Sequence, residues 1–174
     1  VKKLEKIVSD LKIFELALKS TQEEMRREFV EAVNYEMNKL WSTLYPYRDF
    51  IEIKLNIEEG DYVLQLKDRT GKFISVDGIA SGGERSVACL ALRIAFARVL
   101  APHLRILMLD EPTANLDSLA IKELATTLRE RINEFIDQTF LITHTMELED
   151  AVTGYAYRLE RDKSSDGPVK LISL

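Results

Sequence analysis

The stretch LRILMLDEP, residues 104–112, decides the fold of this 174-residue chain. Its first six positions are almost entirely apolar and then give way abruptly to two acidic residues and a proline. A short, continuous apolar run is typical of a β-strand that is buried on both faces of a sheet. Downstream, apolar residues recur at helical spacing from Ser118, and a second apolar run over residues 140–142 ends just before His144. The order strand, helix of about 18 residues, strand predicts a βαβ crossover with two parallel strands.

Polar side chains follow both of these predicted strands. Asp110 and Glu111 end the first, and His144 follows the second. Because open α/β sheets bind ligands at the carboxyl ends of their strands, we expect these three side chains to share one crevice. There an aspartate can hold Mg²⁺ through water, a glutamate can deprotonate an attacking water, and an imidazole can contact a phosphate. The alternative interpretation is a pair of solvated acids and a structural histidine.

A third feature, the sequence SGGE at residues 81–84, opens a predicted helix over residues 81–100. Two glycines at a helix start let the backbone approach an anion closely, and the free N–H groups favour phosphate there. The same residues also fit a Ser-x-x-Glu capping box, which needs no ligand. Within this helix, Cys89 is predicted to pack in the core.

The chain opens on a predicted helix. Its apolar positions form an a/d heptad seam of two heptads, made of Leu4, Ile7, Leu11, Phe14 and Leu18. We predict a coiled-coil stub over residues 1–24, although an ordinary amphipathic helix fits so short a window equally well. The apolar pattern widens over residues 29–44, which predicts that the helix enters a globular unit spanning residues 25–174. Alternating patterns predict an antiparallel three-stranded meander over residues 51–76 and a closing hairpin over residues 155–174, turning around 164–168.

Charge and composition limit the class of protein. Lys and Arg total 24 against 29 Asp and Glu, and this net charge of −5 excludes a wholly basic nucleic-acid coat. Residues 81–105 nevertheless carry a net charge of +3, with Arg85 and Arg93 near one helix face, which suits either a DNA backbone or the acids of a second lobe. One cysteine cannot form a disulfide framework or a zinc ribbon. With no apolar span and no secretory signal visible, we expect an intracellular protein without a membrane partner.

Taken together, these motifs resemble those of the ABC-type ATPases. Residues 81–84 resemble the signature motif, residues 104–111 the Walker B strand with its catalytic glutamate, Asn115-Leu116-Asp117 the D-loop, and His144 the switch histidine. All four occur in the family's order. A heptad helix that runs directly into the lobe resembles the SMC-like branch, and the wording of the motifs looks most like the Rad50 family of DNA double-strand-break repair.

The resemblance implies an α/β fold, the C-terminal lobe of an ABC-type ATPase head, and it implies a role for each motif residue. Glu111 would be the general base, Asp110 would hold Mg²⁺ through water, and His144 would sense the γ-phosphate. The residues that would contact ATP held by the opposite subunit are Ser81, Gly82, Gly83, Glu84 and Asp117. In the family, the signature helix couples the nucleotide state to lobe rotation. The resemblance therefore assigns Arg85 and Arg93 to this coupling rather than to contact with DNA.

The departures from the family pattern are equally specific. The sequence contains no Gly-x-x-x-x-Gly-Lys-[Ser/Thr] phosphate loop, no identifiable glutamine loop and no Cys-x-x-Cys zinc hook, and Ala80 stands where a leucine is common. We therefore expect the isolated chain neither to bind ATP well nor to hydrolyse it. A zinc ion at a zinc hook is expected only in a full-length protein. The implied partners are an N-terminal Walker A lobe, a second head, an Mre11-type nuclease at the coiled-coil base and double-stranded DNA. The location would be the cytoplasm or nucleoid of a prokaryote, or the nucleus of a eukaryote.

Three other interpretations remain open. The head of a chromosome-organising SMC protein shares this chemistry. A non-catalytic, nucleotide-gated dimerisation module would keep the fold with a degenerate site, although the full set of acidic residues and His144 argues against it. The nucleotide-binding domain of a transporter is disfavoured, because such chains carry their phosphate loop shortly upstream of the signature motif.

Overall fold

The computed structural model of the protein describes residues 2–45, 47–78, 80–114, 116–161 and 169–174. These form an α/β fold in which a long helix and a meander precede a strand–helix–strand unit and a final hairpin. The helices and strands are α1 (Lys2–Leu44), β1 (Phe50–Glu58), β2 (Asp61–Asp68), β3 (Phe73–Ser75), α2 (Gly82–Leu100), β4 (Ile106–Asp110), α3 (Ser118–Glu130), β5 (Gln138–Ile142), β6 (Tyr157–Glu160) and β7 (Lys170–Ser173). None of the helices in the described ranges is apolar over enough residues to span a membrane.

Helix α1 has two parts with different surroundings. Its C-terminal part enters the core, where Val33, Met37 and Leu40 are completely buried. This confirms that the widened apolar pattern packs in the core, and the boundaries of the globular unit, residues 25–174, stay a prediction. In the N-terminal part, the whole predicted heptad seam is exposed to solvent, from Leu4 (68% exposed) to Leu18 (69% exposed). The coiled-coil stub over residues 1–24 therefore stays a prediction.

The meander is clamped to α1 by two asparagines. Strand β1 pairs with β2 on one side only, in the sheet order β1-β2-β3, so its other edge needs partners. Asn34 Nδ2 donates to the carbonyl of Leu55 (2.9 Å) and its Oδ1 accepts from the Leu55 N–H (2.6 Å). Asn38 makes the same pair of bonds with Ile53, at 2.8 and 3.2 Å. The two carboxamides thus satisfy the edge of β1 as a neighbouring strand would.

Replacing either clamp residue by alanine is expected to destabilise the protein. Asn34→Ala or Asn38→Ala leaves one N–H and one carbonyl of β1 without a partner, which costs about 1–3 kcal/mol of unfolding free energy. Urea unfolding followed by circular dichroism measures the effect. The matched control is Asn56→Ala, because among the described residues this side chain bonds to the surface residue Glu58 alone, and its loss should change stability by less than about 0.5 kcal/mol. Equal midpoints for clamp variants and control would contradict the assignment.

Helix α2 is joined to α1 by an aromatic stack and an ion pair. The rings of Phe29 and Phe96 stack with centroids 5.7 Å apart. Nearby, Arg98 Nε lies 2.6 Å from Glu36 Oε2, and Lys39 contacts the same carboxylate at 3.3 Å. Burial alone would raise the pKa of Glu36, but the hydrogen bonds from Arg98 and Lys39 outweigh it and hold this pKa below its usual range. Glu36, in the third helix turn from the end of α1, and Arg98, in the last turn of α2, therefore carry complementary charges.

Strands β4 and β5 pair in parallel, in register from Ile106 with Gln138 to Asp110 with Ile142. The prediction that these strands are buried on both faces is wrong for this chain. Leu107 and Leu109 are buried, whereas Met108 is 74% exposed and its neighbour across the pair, Phe140, is 48% exposed. The physical reason is that Leu107 and Leu109 join residues of the helices in the core, whereas in the described part of the chain the face with Met108 and Phe140 is exposed.

The helix that connects these strands is shorter than predicted. Helix α3 has 13 residues instead of about 18, and a 3₁₀ turn at Ile132–Glu134 follows it. Ile132 and Ile136 are nonetheless buried, so the apolar positions after the helix still serve the core.

The closing hairpin is confirmed. Strands β6 and β7 pair in antiparallel fashion, from Tyr157 opposite Ser173 to Glu160 opposite Lys170. Both strands are exposed along their whole length. The predicted turn around residues 164–168 lies outside the described residues.

Candidate nucleotide-hydrolysis site

The candidate site lies at the carboxyl ends of β4 and β5. The chain leaves β4 through Glu111, whose N–H donates to the carbonyl of Ile142 at 2.8 Å and so continues the strand pairing by one residue. Glu111 has φ = 44°, in the left-handed region that residues with a side chain rarely adopt. Such strained positions persist only where the surrounding structure holds them, and they concentrate at functional sites.

Glu111 and His144 are brought into contact. Nδ1 of His144 lies 2.8 Å from Oε2 of Glu111. That oxygen is buried and accepts no hydrogen bond of regular geometry from the described residues. The His144 side chain, by contrast, is 86% exposed. The pair therefore combines a carboxylate with unused acceptor capacity and an imidazole accessible from solvent, an arrangement that can take a proton from a bound water.

Asp110 occupies the last position of β4. It is exposed and alternates with the buried Leu109, so it shares the open face of the sheet with Met108. Within the described ranges no group of three or more His, Cys, Asp or Glu side chains could hold a metal ion. A hard oxygen donor at a strand end still suits Mg²⁺, since this ion keeps several waters and takes only one or two carboxylates.

The start of α2 has the complete capping box. Ser81 Oγ accepts from the N–H of Glu84 (3.4 Å), and Glu84 Oε2 accepts from the N–H of Ser81 (2.7 Å). The capping-box interpretation of these residues is therefore confirmed: two of the N–H groups that a phosphate would use are already bonded, and a carboxylate lies at the helix start. Contact of Ser81 and Glu84 with ATP stays a prediction.

The two glycines of this motif have different surroundings. A Cβ on Gly83 would lie 3.1 Å from Glu123 Oε2 and 3.5 Å from the Cβ of Ala120, so the glycine allows α2 to approach α3 closely. A Cβ on Gly82 would lie 3.8 Å from Leu116, an ordinary contact. Gly83 is buried, whereas Gly82 is partly accessible. The structure thus gives Gly83 a packing role and leaves Gly82 available for a ligand.

Asp117 caps α3. Its carboxylate accepts from the N–H of Ala120 at 2.8 Å, and its side chain is exposed. The predicted contact of Asp117 with ATP held by an opposite subunit stays a prediction. Asn115, the first residue of the D-loop motif, lies outside the described residues.

An open cleft of about 250 Å³ runs between α2 and the loop after β4. Gly82, Arg85 and Arg93 line it on one side and Glu111 on the other. The predicted common face of the two arginines is confirmed, and Arg98 points instead to Glu36. Cys89 is exposed and lines the same cleft, so its predicted core position is wrong. The i, i+4, i+8 spacing of residues 85, 89 and 93 would have placed this cysteine on the arginine face.

Comparisons with known proteins agree on one family. No family model matches the chain. The DNA double-strand break repair Rad50 ATPase of Methanopyrus kandleri is 33% identical over 151 residues, covering 86% of this chain and 17% of that protein. Other Rad50 proteins from archaea and eukaryotes match as well. The chain therefore spans less than a fifth of the length of this relative.

Solved structures support the same fold. A chain from a study of ATP-driven dimerisation and DNA-stimulated activation of SMC ATPases superposes with a TM-score of 0.63 at 21% identity, covering 87% of this chain and 88% of the other. The SMC head domain with a coiled coil and joint from Pyrococcus yayanosii gives the same TM-score and identity, over 99% of this chain and 32% of that structure. From its sequence relatives and its fold, the chain belongs to the Rad50 family of SMC-like ATPases and matches the C-terminal lobe of their head.

Proposed function

We propose that this chain is the C-terminal half of an ATPase head that binds and hydrolyses ATP at a head–head interface. Nucleotide turnover there would control DNA binding and nuclease action in double-strand-break repair. The observation that carries the proposal is the contact of Glu111 with His144 at the carboxyl ends of two parallel strands, 2.8 Å apart, beside a cleft that Gly82 lines from α2.

Glu111 is the general base in this proposal. Oε2 of its carboxylate is buried against His144, but the side chain as a whole is 39% exposed, so the carboxylate can accept a proton from the water that attacks the γ-phosphate. His144, exposed and in contact with the same oxygen, orients the carboxylate and donates a hydrogen bond toward the phosphate. The left-handed conformation of Glu111 sets the direction of its side chain and the contact with His144 holds the carboxylate, so little reorganisation is needed when the substrate binds.

Asp110 would hold Mg²⁺ through water. The exposed carboxylate at the strand end and the adjacent Glu111 form a donor set of hard oxygens that fits this ion. When bound, Mg²⁺ neutralises the charge of the phosphates that develops during hydrolysis. Across the cleft, the N–H groups of Gly82 and Gly83 lie at a helix N-terminus, where phosphate binding is favourable.

An N-terminal lobe with the Walker A motif would complete the site. The open face of the β4–β5 pair exposes Met108, Phe140 and Ile142, and the closing hairpin exposes Tyr157 and Leu159. Exposed apolar surface of this extent is typical of a protein contact. Asp110 lies on the same open face, so a lobe that covers it would also bring its bound ATP to the magnesium position.

The remaining partners follow from the same model of action. A second head would receive the signature motif of this one, as the ATP-driven dimerisation of related SMC ATPases suggests. The exposed seam of α1 would pair with an N-terminal coiled-coil arm, and an Mre11-type nuclease would bind near its base. Arg85 and Arg93, on the cleft side of α2, would couple the nucleotide state to lobe movement.

The test is ATP turnover by this chain mixed with its N-terminal lobe, with and without duplex DNA. We expect no turnover by either part alone, turnover in the mixture, and a further increase with DNA. Turnover by the isolated chain would contradict the split site. A well-folded mixture without turnover would favour a nucleotide-gated clamp that does not hydrolyse ATP.

A chromosome-organising SMC head is the second candidate, because the structural neighbours named above are SMC heads. The sequence relatives favour the repair role, since they are Rad50 proteins. Pull-down with an Mre11-type nuclease separates the two candidates, because the repair role requires that association.

A further inference from the structure

A pair of threonines connects the two loops that carry Glu111 and His144. Thr113 follows β4 and Thr145 follows β5, and their Oγ1 atoms lie 2.9 Å apart in a hydrogen bond. Thr113 is 7% exposed and is thus a buried polar residue. The Thr145 N–H in turn donates to Thr143 Oγ1 at 3.0 Å, which fixes the backbone on both sides of His144.

These contacts form a closed loop of interactions around the proposed base. Glu111 is two residues before Thr113, and His144 is next to Thr145. The Glu111 N–H bond to Ile142 links the two strand ends on one side, and the threonine pair links the two loops on the other. Between them lies the 2.8 Å contact of Glu111 with His144. Each loop therefore carries one member of the catalytic pair and one member of the threonine pair.

The threonine pair also explains how a strained residue keeps its conformation. Glu111 at φ = 44° stays in place only if its surroundings hold it. The backbone after it turns at once, with the N–H of Ala114 bonded to the Glu111 carbonyl at 3.3 Å. Thr113, inside this turn and bonded to the opposite loop, fixes the turn against β5. Without that bond, the turn after Glu111 would lose its side-chain link to the loop that carries His144, and the strand-end bond from Glu111 to Ile142 would remain.

We propose that Thr113 and Thr145 are positioning residues for ATP hydrolysis, which hold Glu111 against His144 through their shared hydrogen bond. The proposal rests on the function proposed above. It assigns no contact with the nucleotide to either threonine. Its consequence is that the loss of one hydroxyl lowers the rate of the chemical step and leaves ATP binding intact.

The test uses the assembled head, with the N-terminal lobe present. Thr113→Val and Thr145→Val keep the shape of the side chain and remove the hydroxyl. We expect each to lower kcat about tenfold with KM for ATP unchanged within about twofold, since a small misplacement of a reacting group is costly. The conservative variants Thr113→Ser and Thr145→Ser keep the hydroxyl and should restore most of the activity. The double valine variant should be no slower than either single one, because both remove the same bond.

Hydrogen exchange gives a second readout that does not depend on turnover. The Glu111 amide, which is bonded to Ile142 in the intact site, should exchange about fivefold faster or more in both valine variants than in the serine variants. Unchanged turnover and unchanged exchange in the valine variants would overturn the proposal. So would equal losses in valine and serine variants, which would indicate packing rather than the hydrogen bond.

Failure of the proposed function is distinguished by Glu111→Gln in the same head. Turnover that this variant leaves intact, or no turnover in the unchanged head, would contradict the general-base assignment. In that event the exchange of the Glu111 amide alone decides on the threonine pair: faster exchange in the valine variants supports it, and equal exchange overturns it.

Discussion

Replacing Glu111 by glutamine is expected to lower the kcat of the assembled ATPase head by a factor of about 100 or more. Glutamine keeps the shape of the side chain but cannot accept the proton of the attacking water, and general-base catalysis contributes about 10²–10⁴-fold to rates of this kind. Phosphate release at saturating ATP and Mg²⁺ measures the effect. Because no contact with ATP is lost, the KM for ATP should change little and the ATP-bound head dimer should accumulate.

The matched control is Glu147→Gln. Glu147 is an exposed acid three residues after His144, in the 3₁₀ turn Met146–Ala151. The Glu147→Gln substitution removes one negative charge close to the site but leaves the Glu111–His144 contact in place. The kcat should therefore stay within about twofold of the unchanged head. A Glu111→Gln head that retains half of its turnover, or a Glu147→Gln head that loses as much, would refute the assignment of the base.

The second large effect concerns stability and separates two roles within the signature motif. Gly83→Val is expected to lower the free energy of unfolding by about 1–3 kcal/mol, because it forces extra atoms into a packed contact between α2 and α3. The nearest atom, Glu123 Oε2, lies 3.1 Å from the position of a Cβ. It cannot move away freely, since the other oxygen of Glu123 accepts a hydrogen bond from Tyr47 at 2.7 Å.

Gly82→Ala is the matched comparison for this prediction. A Cβ there meets only Leu116, at 3.8 Å, and alanine is a better helix former than glycine. Stability should therefore fall by less than about 0.5 kcal/mol or rise slightly, while ATP-dependent dimerisation is weakened if the Gly82 backbone contacts phosphate. Urea unfolding without nucleotide, and dimer formation with ATP, give the two readouts. Equal stability of the two variants would contradict the packing role of Gly83.

Much of the fold could be predicted because its signals are local. The alternating pattern over residues 51–76 correctly predicted the meander. The apolar run before Asp110 correctly predicted β4, which pairs in parallel with β5. Because strands of a βαβ unit end at one edge, the juxtaposition of Glu111 and His144 also followed from the order of elements along the chain. The family resemblance depended on the same short motifs, and the Rad50 relatives bear it out.

The errors arose where burial depends on what covers a surface. The residues of β4 are apolar on both faces, yet this chain covers only one of them. Cys89 has apolar neighbours in sequence, but its position on α2 is set by the helix rotation that buries Val87, Ala88 and Leu90. An apolar residue type favours burial, but it neither guarantees burial nor identifies the surface that would cover it.

The sequence by itself determined the order of strands and helices, the edge at which the acids and the histidine meet, and the family, because each depends on spacing along one chain. Only the tertiary structure decided which residues of these motifs hold the fold. It bonds Ser81 and Glu84 to each other, packs Gly83 against α3, and joins Asn34 and Asn38 to β1. It also brings Thr113 within 2.9 Å of Thr145. Contacts between residues distant in sequence depend on how helices and strands pack, and no local pattern specifies that packing.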